Sequence, residues 1–257
     1  MIRPVAAVRS RSGPRRARFA GMLPGGLWGR EWLIALGSRR AVALKVAMPL
    51  VLTVPLAAGH APTFWAGMLL SVLVAMIGAI GTGITVARAR AAGLLARLAV
   101  VPRAPARTVG EWVVAAAAVD GLLLAPAISV VLIAGQPDPF AGLALVLMVV
   151  AVLLVANVLG CALAVLAGSA GDVLLDVVVV LAPLLYLGGL FTGVPREGWR
   201  WWAARLDPFS YLHAAFVAAL GGSPSFAAVA VLAAAAATSA AALLALAMLG
   251  RAVLERA

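Results

Sequence analysis

The sequence predicts an all-α membrane protein with six transmembrane helices, and three observations carry that prediction. Apolar residues make up 65% of the 257 positions and charged residues only 11%, where a soluble domain has roughly half and a quarter; mean hydropathy is +1.11. The apolar residues gather into runs of about twenty, the length that crosses ~30 Å of hydrocarbon at 1.5 Å per residue. Seventeen of the twenty Lys and Arg fall in segments that alternate crossing would place on one face. Irregular backbone leaves N–H and C=O groups unpaired in lipid, so one helical domain with no second folded unit is expected.

Residues 1–27, rich in Arg, Gly, Pro and Ser, read as a disordered basic cytoplasmic tail, and the six-helix membrane domain takes up 28–257. Trp28 to Arg40 reads as a short interfacial helix, with Trp32 as anchor among Arg30, Glu31, Arg39 and Arg40. The run Ser38-Arg39-Arg40 imitates a twin-arginine export signal, but five further spans follow without a cleavage site. The spans are expected at 41–59, 63–86, 110–134, 140–168, 172–193 and 225–250. Pro49 and Pro55 should kink the first. The fourth is long enough to tilt.

Nine Arg precede the first span, Lys45 lies just inside it, five Arg lie in 87–109, and Arg251 and Arg256 follow the last span. The opposite face has only Arg196, Arg200 and Arg205. The positive-inside rule then places both termini in the cytoplasm of a bacterial plasma membrane. The Ala/Arg/Gly/Val-heavy usage fits a GC-rich bacterial genome. A net charge of +11 is explained by such loops and their contact with anionic membrane lipid, so nucleic acid is not expected as a partner. The single cysteine, Cys161, excludes a disulfide within the chain.

The segment 87–109 is too long for a tight connection. Leu94, Leu95, Leu98 and Val101 recur at helical spacing, Arg90 and Arg97 lie elsewhere on the wheel, and Pro102 ends the run. It reads either as an amphipathic helix on the inner leaflet or as a helix docking into a groove of a soluble partner. Asp120 lies ten residues in from Gly110, about 15 Å deep, where an ionised carboxylate costs about 3 kcal/mol. Asn157, eleven residues from Gly168, lies at similar depth, and the two are expected to hydrogen-bond or to line one polar pocket. Ala156, Gly160, Ala164 and Gly168 give the fourth span a smooth face, for packing within the subunit or at a dimer seam. Asp172 is expected to cap the fifth span, where an Arg of 87–109 could reach it. Trp199, Trp201, Trp202 and Tyr211 form an outer aromatic belt.

There is no G-x-x-x-x-G-K-[S/T] run, so the chain holds no P-loop for ATP. His60, His213 and Cys161 are too scattered for a metal site. Gly168-Ser169-Ala170-Gly171 resembles an intramembrane serine protease motif, but both His fall on outer segments.

Arg88-Ala-Arg90-Ala-Ala-Gly93-Leu94-Leu95-Ala-Arg97-Leu98 with Pro102, then Gly188-Gly189-Leu190-Phe191-Thr192-Gly193-Val194-Pro195, the Trp cluster, and Asp207-Pro208-Phe209-Ser210-Tyr211 run in order along the chain. This pattern resembles the permease subunit of type-2 ABC exporters, a group that includes drug-resistance permeases of actinomycete antibiotic producers. The acidic residue usual before Arg88 is Ala87 here, and the family's Asn-Pro is Asp207-Pro208. The resemblance implies a non-enzymatic transport subunit, dimeric as a homodimer or with a related permease. It implies a separate cytoplasmic ATPase that carries ATP and Mg, this chain binding no cofactor. It also implies that Arg88, Arg90, Leu94, Arg97 and Leu98 couple to that ATPase. Asp120 and Asn157 are assigned to the substrate path. Phe191, Pro195, Trp199, Trp202, Asp207, Pro208 and Tyr211 would belong to short outer re-entrant helices between spans 5 and 6. Two other functions remain open: a proton-coupled secondary transporter using Asp120, and a non-transporting membrane assembly factor.

Overall fold

The computed structural model describes Gly29, Trp32 and residues 39–59, 61–99 and 104–255. The basic tail, nearly all of the expected interfacial helix, and Pro102 lie outside the described residues. Those described form helices joined by short turns, with no strand among them. In order they are α1 (Arg39–Ala58), α2 (Thr63–Ala91), α3 (Leu94–Ala99), α4 (Pro105–Gly135), α5 (Pro139–Leu166), α6 (Ala170–Leu187), α7 (Trp199–Leu206), α8 (Pro208–Ala219) and α9 (Ala228–Glu255).

Five of these, α2, α4, α5, α6 and α9, are long and apolar enough to cross a membrane. The first expected span is the helix α1, whose apolar part, Val42–Ala58, is shorter than the other five. Arg39, Arg40 and Lys45 at its start take up length that an apolar run would otherwise use.

Helix ends follow local chemistry. Helix α2 continues past the expected stop at 86 because nothing breaks it before Gly93, whose φ of 67° only glycine adopts without strain. Helix α4 starts five residues before the expected 110, with Pro105 in its first turn, where a missing N–H costs nothing. The Asp138 carboxylate accepts from the N–H groups of Phe140 (2.9 Å) and Ala141 (3.0 Å) to start α5. The cap of α6 is Ser169, not Asp172: its hydroxyl accepts from the Asp172 N–H at 3.2 Å. A hydroxyl at that position begins the helix three residues earlier than a cap at Asp172 would. Helix α6 ends at Leu187, short of the expected 193, because Gly188 and Gly189 (φ 76°) turn the chain.

The centre of the bundle is the α2–α5 pair, the most extensively packed of all helix pairs. Gly160 presses against the Ala79 backbone, an added Cβ lying 2.9 Å from the Ala79 carbonyl carbon, and Gly78 sits against Ala156. The smooth face of the fourth span is therefore spent inside the subunit at Ala156 and Gly160, while Gly168 is exposed. Helix α8 is seated among α2, α5 and α9, with Phe209, Leu212 and Phe216 fully buried. Helix α1 rests mainly on α4. It leaves Leu44, Met48 and Val51 exposed on one side.

Candidate functional site

Three places along the bundle hold the residues singled out from sequence. At the end of the bundle that the charge pattern predicts to face inward, Arg88 and Arg90 belong to the last turn of α2 rather than to a separate helix. The independent helix there covers six of the described residues, Leu94–Ala99. Arg88 and Arg97 are exposed, while Leu95 is buried and Leu94 and Leu98 pack half-buried on the protein's own core. The apolar stripe of this segment is thus satisfied internally, by α2 and α9. Arg90 does not reach Asp172. Its Nη1 donates to the Val165 carbonyl at 3.1 Å and its Nη2 to the Ala167 carbonyl, so that it caps the C-terminal end of α5. A cation there meets both the free carbonyls and the negative end of the helix dipole.

In the middle of the bundle lie two polar pairs. The Asp120 carboxylate is paired with the Lys45 ammonium at 3.2 Å, joining α4 to α1. The Asn157 Oδ1 accepts from the Thr82 hydroxyl, and its Nδ2 donates to the Leu153 carbonyl at 2.8 Å. Asp120 and Asn157 therefore take different main partners from those expected, though Asn157 lies within polar reach of the Asp120 carboxyl. Gly81 adjoins the ion pair: a Cβ there would stand in ordinary contact, 3.6 Å from Asp120 Oδ2 and 3.8 Å from Lys45 Nζ. Lys45 is the accessible member, 45% exposed against 4% for Asp120. From sequence Lys45 counted only among the orienting charges, and Thr82 was assigned no role. The only lysine of the chain, one turn inside an apolar run, was the available signal for the partner of Asp120.

At the opposite end, expected to face outward, Asp207 starts α8 by accepting from the Phe209 N–H at 2.9 Å. Its other oxygen is buried without a partner, against Gly188, which has no side chain to displace it. Burial pushes this carboxyl up to about 7, with the Phe209 N–H pulling weakly the other way. Pro208 occupies the first turn of α8. The Tyr211 hydroxyl donates to the Arg205 carbonyl at 2.9 Å, and its ring stacks on Phe226. Arg200 lies over the Tyr186 ring and Arg205 over the Trp201 ring. Phe191, Trp199 and Trp202 are exposed, and Pro195 is half-buried. His213, buried on α8, contacts the Phe64 carbonyl at 3.0 Å. Among the described residues no three His, Cys, Asp or Glu come together as a metal site.

These features are those of a multi-pass helical protein with polar pairs between its helices and one span that continues past its apolar run. A family profile described as ABC-2 type transporter matches residues 25–220. No curated protein and no solved structure matches the chain. The profile takes in α1 to α8 with the inner segment and the outer pair, well over half of the sequence, so the chain belongs to the ABC-2 type transporter family, as a transmembrane permease of ABC type.

Proposed function

We propose that two copies of this chain, or one copy and a related permease, form the translocation path of an ATP-driven exporter. Each copy engages a separate cytoplasmic ATPase that supplies ATP and Mg. In this reading α1 is a sixth crossing, so that both termini are cytoplasmic in a bacterial plasma membrane. Helices α7 and α8 dip back into the outer leaflet, and the exported class includes apolar drugs of the antibiotic type.

The observation that carries the reading is the inner end of α2. The span continues without a break as far as Arg88 and Arg90, turns at Gly93, and presents Arg97 on a short helix whose leucines are anchored on the bundle. A load applied there passes into a transmembrane helix and not into a slack loop. The contact with an ATPase would be polar, through Arg88 and Arg97, because Leu94 and Leu98 are already engaged in the core. The ion pair with Lys45 gives Asp120 a structural partner without any need for proton traffic.

Co-expression with an ABC ATPase, followed by affinity purification of the chain from detergent, tests the reading. A stoichiometric complex with ATP hydrolysis supports it. A folded chain that retains no ATPase, with transport persisting without ATP and stopping when the proton gradient collapses, would replace it with the secondary transporter.

A further inference from the structure

Contacts along its length tie α2 to α5 and, at its first turns, to α8. At the inner end Arg90 holds the C-terminal carbonyls of α5. One to three turns further in, the two backbones touch. A Cβ on Gly83 would stand 3.1 Å from the Gly160 carbonyl oxygen, one on Gly160 would stand 2.9 Å from the Ala79 carbonyl carbon, and one on Gly78 would stand 2.8 Å from the Ala156 Cβ. The Thr82 hydroxyl and the Asn157 amide bridge the same seam, with the amide fixed by its second bond to Leu153. At the outer end the Phe64 carbonyl meets His213 of α8, the two rings pack edge to face, and Gly67 lies 3.0 Å from Val217 by the same Cβ criterion.

Sliding one helix along another needs a surface whose side chains can re-pack. Between α2 and α5 the surface is backbone against backbone at Gly83, Gly160 and Ala79, where a shear of 1–2 Å would drive carbonyls into neighbouring turns, while α8 is held to α2 by the Val217 and His213 side chains packed on Gly67. A polar bond inside the seam adds a register mark, because breaking it leaves donors and acceptors in a dry interior. Helix α1 differs: it meets the bundle mainly through α4 and through one ion pair whose ammonium is half exposed.

We infer that α2, α5 and α8 move as a single body spanning the membrane, with Arg90 as the positioning residue that fixes the inner coupling segment to α5. This inference rests on the coupling reading above. A displacement imposed at Leu94–Ala99 then reaches α8 at the outer side undiminished, and the opening of the path takes place at the other helix contacts.

The test uses the full chain in complex with its ATPase, with hydrolysis as readout. In a Cys161→Ala background, Thr82→Cys and Asn157→Cys are bridged by oxidation or by a one-carbon bis-thiosulfonate. Hydrolysis is expected to stay within about twofold of the reduced protein. A bridge that forms and stops turnover would show that α2 slides on α5 and overturn the inference; so would failure of the two positions to bridge at all. In parallel, Arg90→Gln should keep the ATPase bound and the melting temperature close to wild type, but lower hydrolysis about tenfold. Arg90→Lys, which still offers a cation to the carbonyls, should restore part of it. Arg90→Gln hydrolysing at the wild-type rate would remove Arg90 from the inference. If the wild-type chain binds no ATPase, the coupling reading itself fails, an outcome distinct from either of these.

Discussion

Replacing Lys45 by Met is predicted to destabilise the protein more than replacing Lys45 and Asp120 together. The pair is separated by 3.2 Å. Coulomb attraction at that distance is about 5 kcal/mol at an effective dielectric of 20 and about 1.3 kcal/mol at that of water. The ammonium is 45% exposed and the carboxylate 4%, so the pair sits between these limits. Desolvation of the carboxylate takes back part of the attraction. The coupling energy worked from this geometry is about 1–3 kcal/mol. Lys45→Met alone leaves Asp120 buried without its cation, and its cost should be about 3 kcal/mol. Asp120→Asn alone leaves a half-exposed ammonium, which can turn outward, and should cost about 1 kcal/mol. Lys45→Met with Asp120→Asn should cost less than the sum of the two. Reversible unfolding in mixed micelles by titration with SDS measures all four corners of the cycle. Single costs that add to within about 0.5 kcal/mol would refute the argument, since they would mean that the two charges do not sense each other across α1 and α4.

Three further outcomes follow from the same structure. The Asp207 carboxyl is raised from 3.8 to about 7 by burial, so the unfolded chain ionises it at lower pH than the folded one. Its contribution to stability is present below about 4 and is lost as pH rises towards about 7; Asp207→Asn should flatten the unfolding midpoint over that interval, and an unchanged pH slope would contradict the assignment. Gly160→Ala places a Cβ against the Ala79 backbone, whereas Gly110→Ala meets nothing within 4 Å; the first should cost about 1–3 kcal/mol and lower the yield of monodisperse protein on size exclusion, the second should leave it unchanged. Gly93→Ala also meets no neighbour within 4 Å, but φ is +67°, so it should cost about 1–2 kcal/mol from backbone strain alone, and Gly93→Asn, measured in the same unfolding assay, should cost less.

Much of the architecture could be read from the sequence because lipid leaves few options. The runs of apolar residues placed α2, α4, α5, α6 and α9 within a few residues, and two short helices formed between the last two spans where the Gly, Trp and Pro residues punctuate the chain. Helix ends were less legible. Gly93, Pro105, Ser169 and Gly188 fix boundaries through φ and capping, signals that hydropathy does not weigh. The polar centre was half legible. Asp120 and Asn157 stand out in apolar runs, but their principal partners, Lys45 and Thr82, are 75 positions away in each case, and no periodicity within one helix reports a contact between two. The inner segment was legible as amphipathic, yet which element its leucines face depends on α2 and α9 meeting there. Arg90 is the clearest example: a basic residue at the end of a span reads as an inner-face charge, and only the fold shows it holding the α5 carbonyls.

The central claim is that the exposed arginines at the inner end of α2 and on α3 are the handle for an ATPase. The most direct measurement is the amount of ABC ATPase retained, and the ATP it hydrolyses, when the chain is purified as wild type and as Arg88→Glu with Arg97→Glu. Both side chains are exposed, so the doubly reversed chain should insert, fold and melt as wild type does. It should retain less than about a tenth of the ATPase, since like charges set against a surface selected for cations cost several kcal/mol. A well-folded double variant that retains the ATPase and hydrolyses ATP at the wild-type rate would contradict the account.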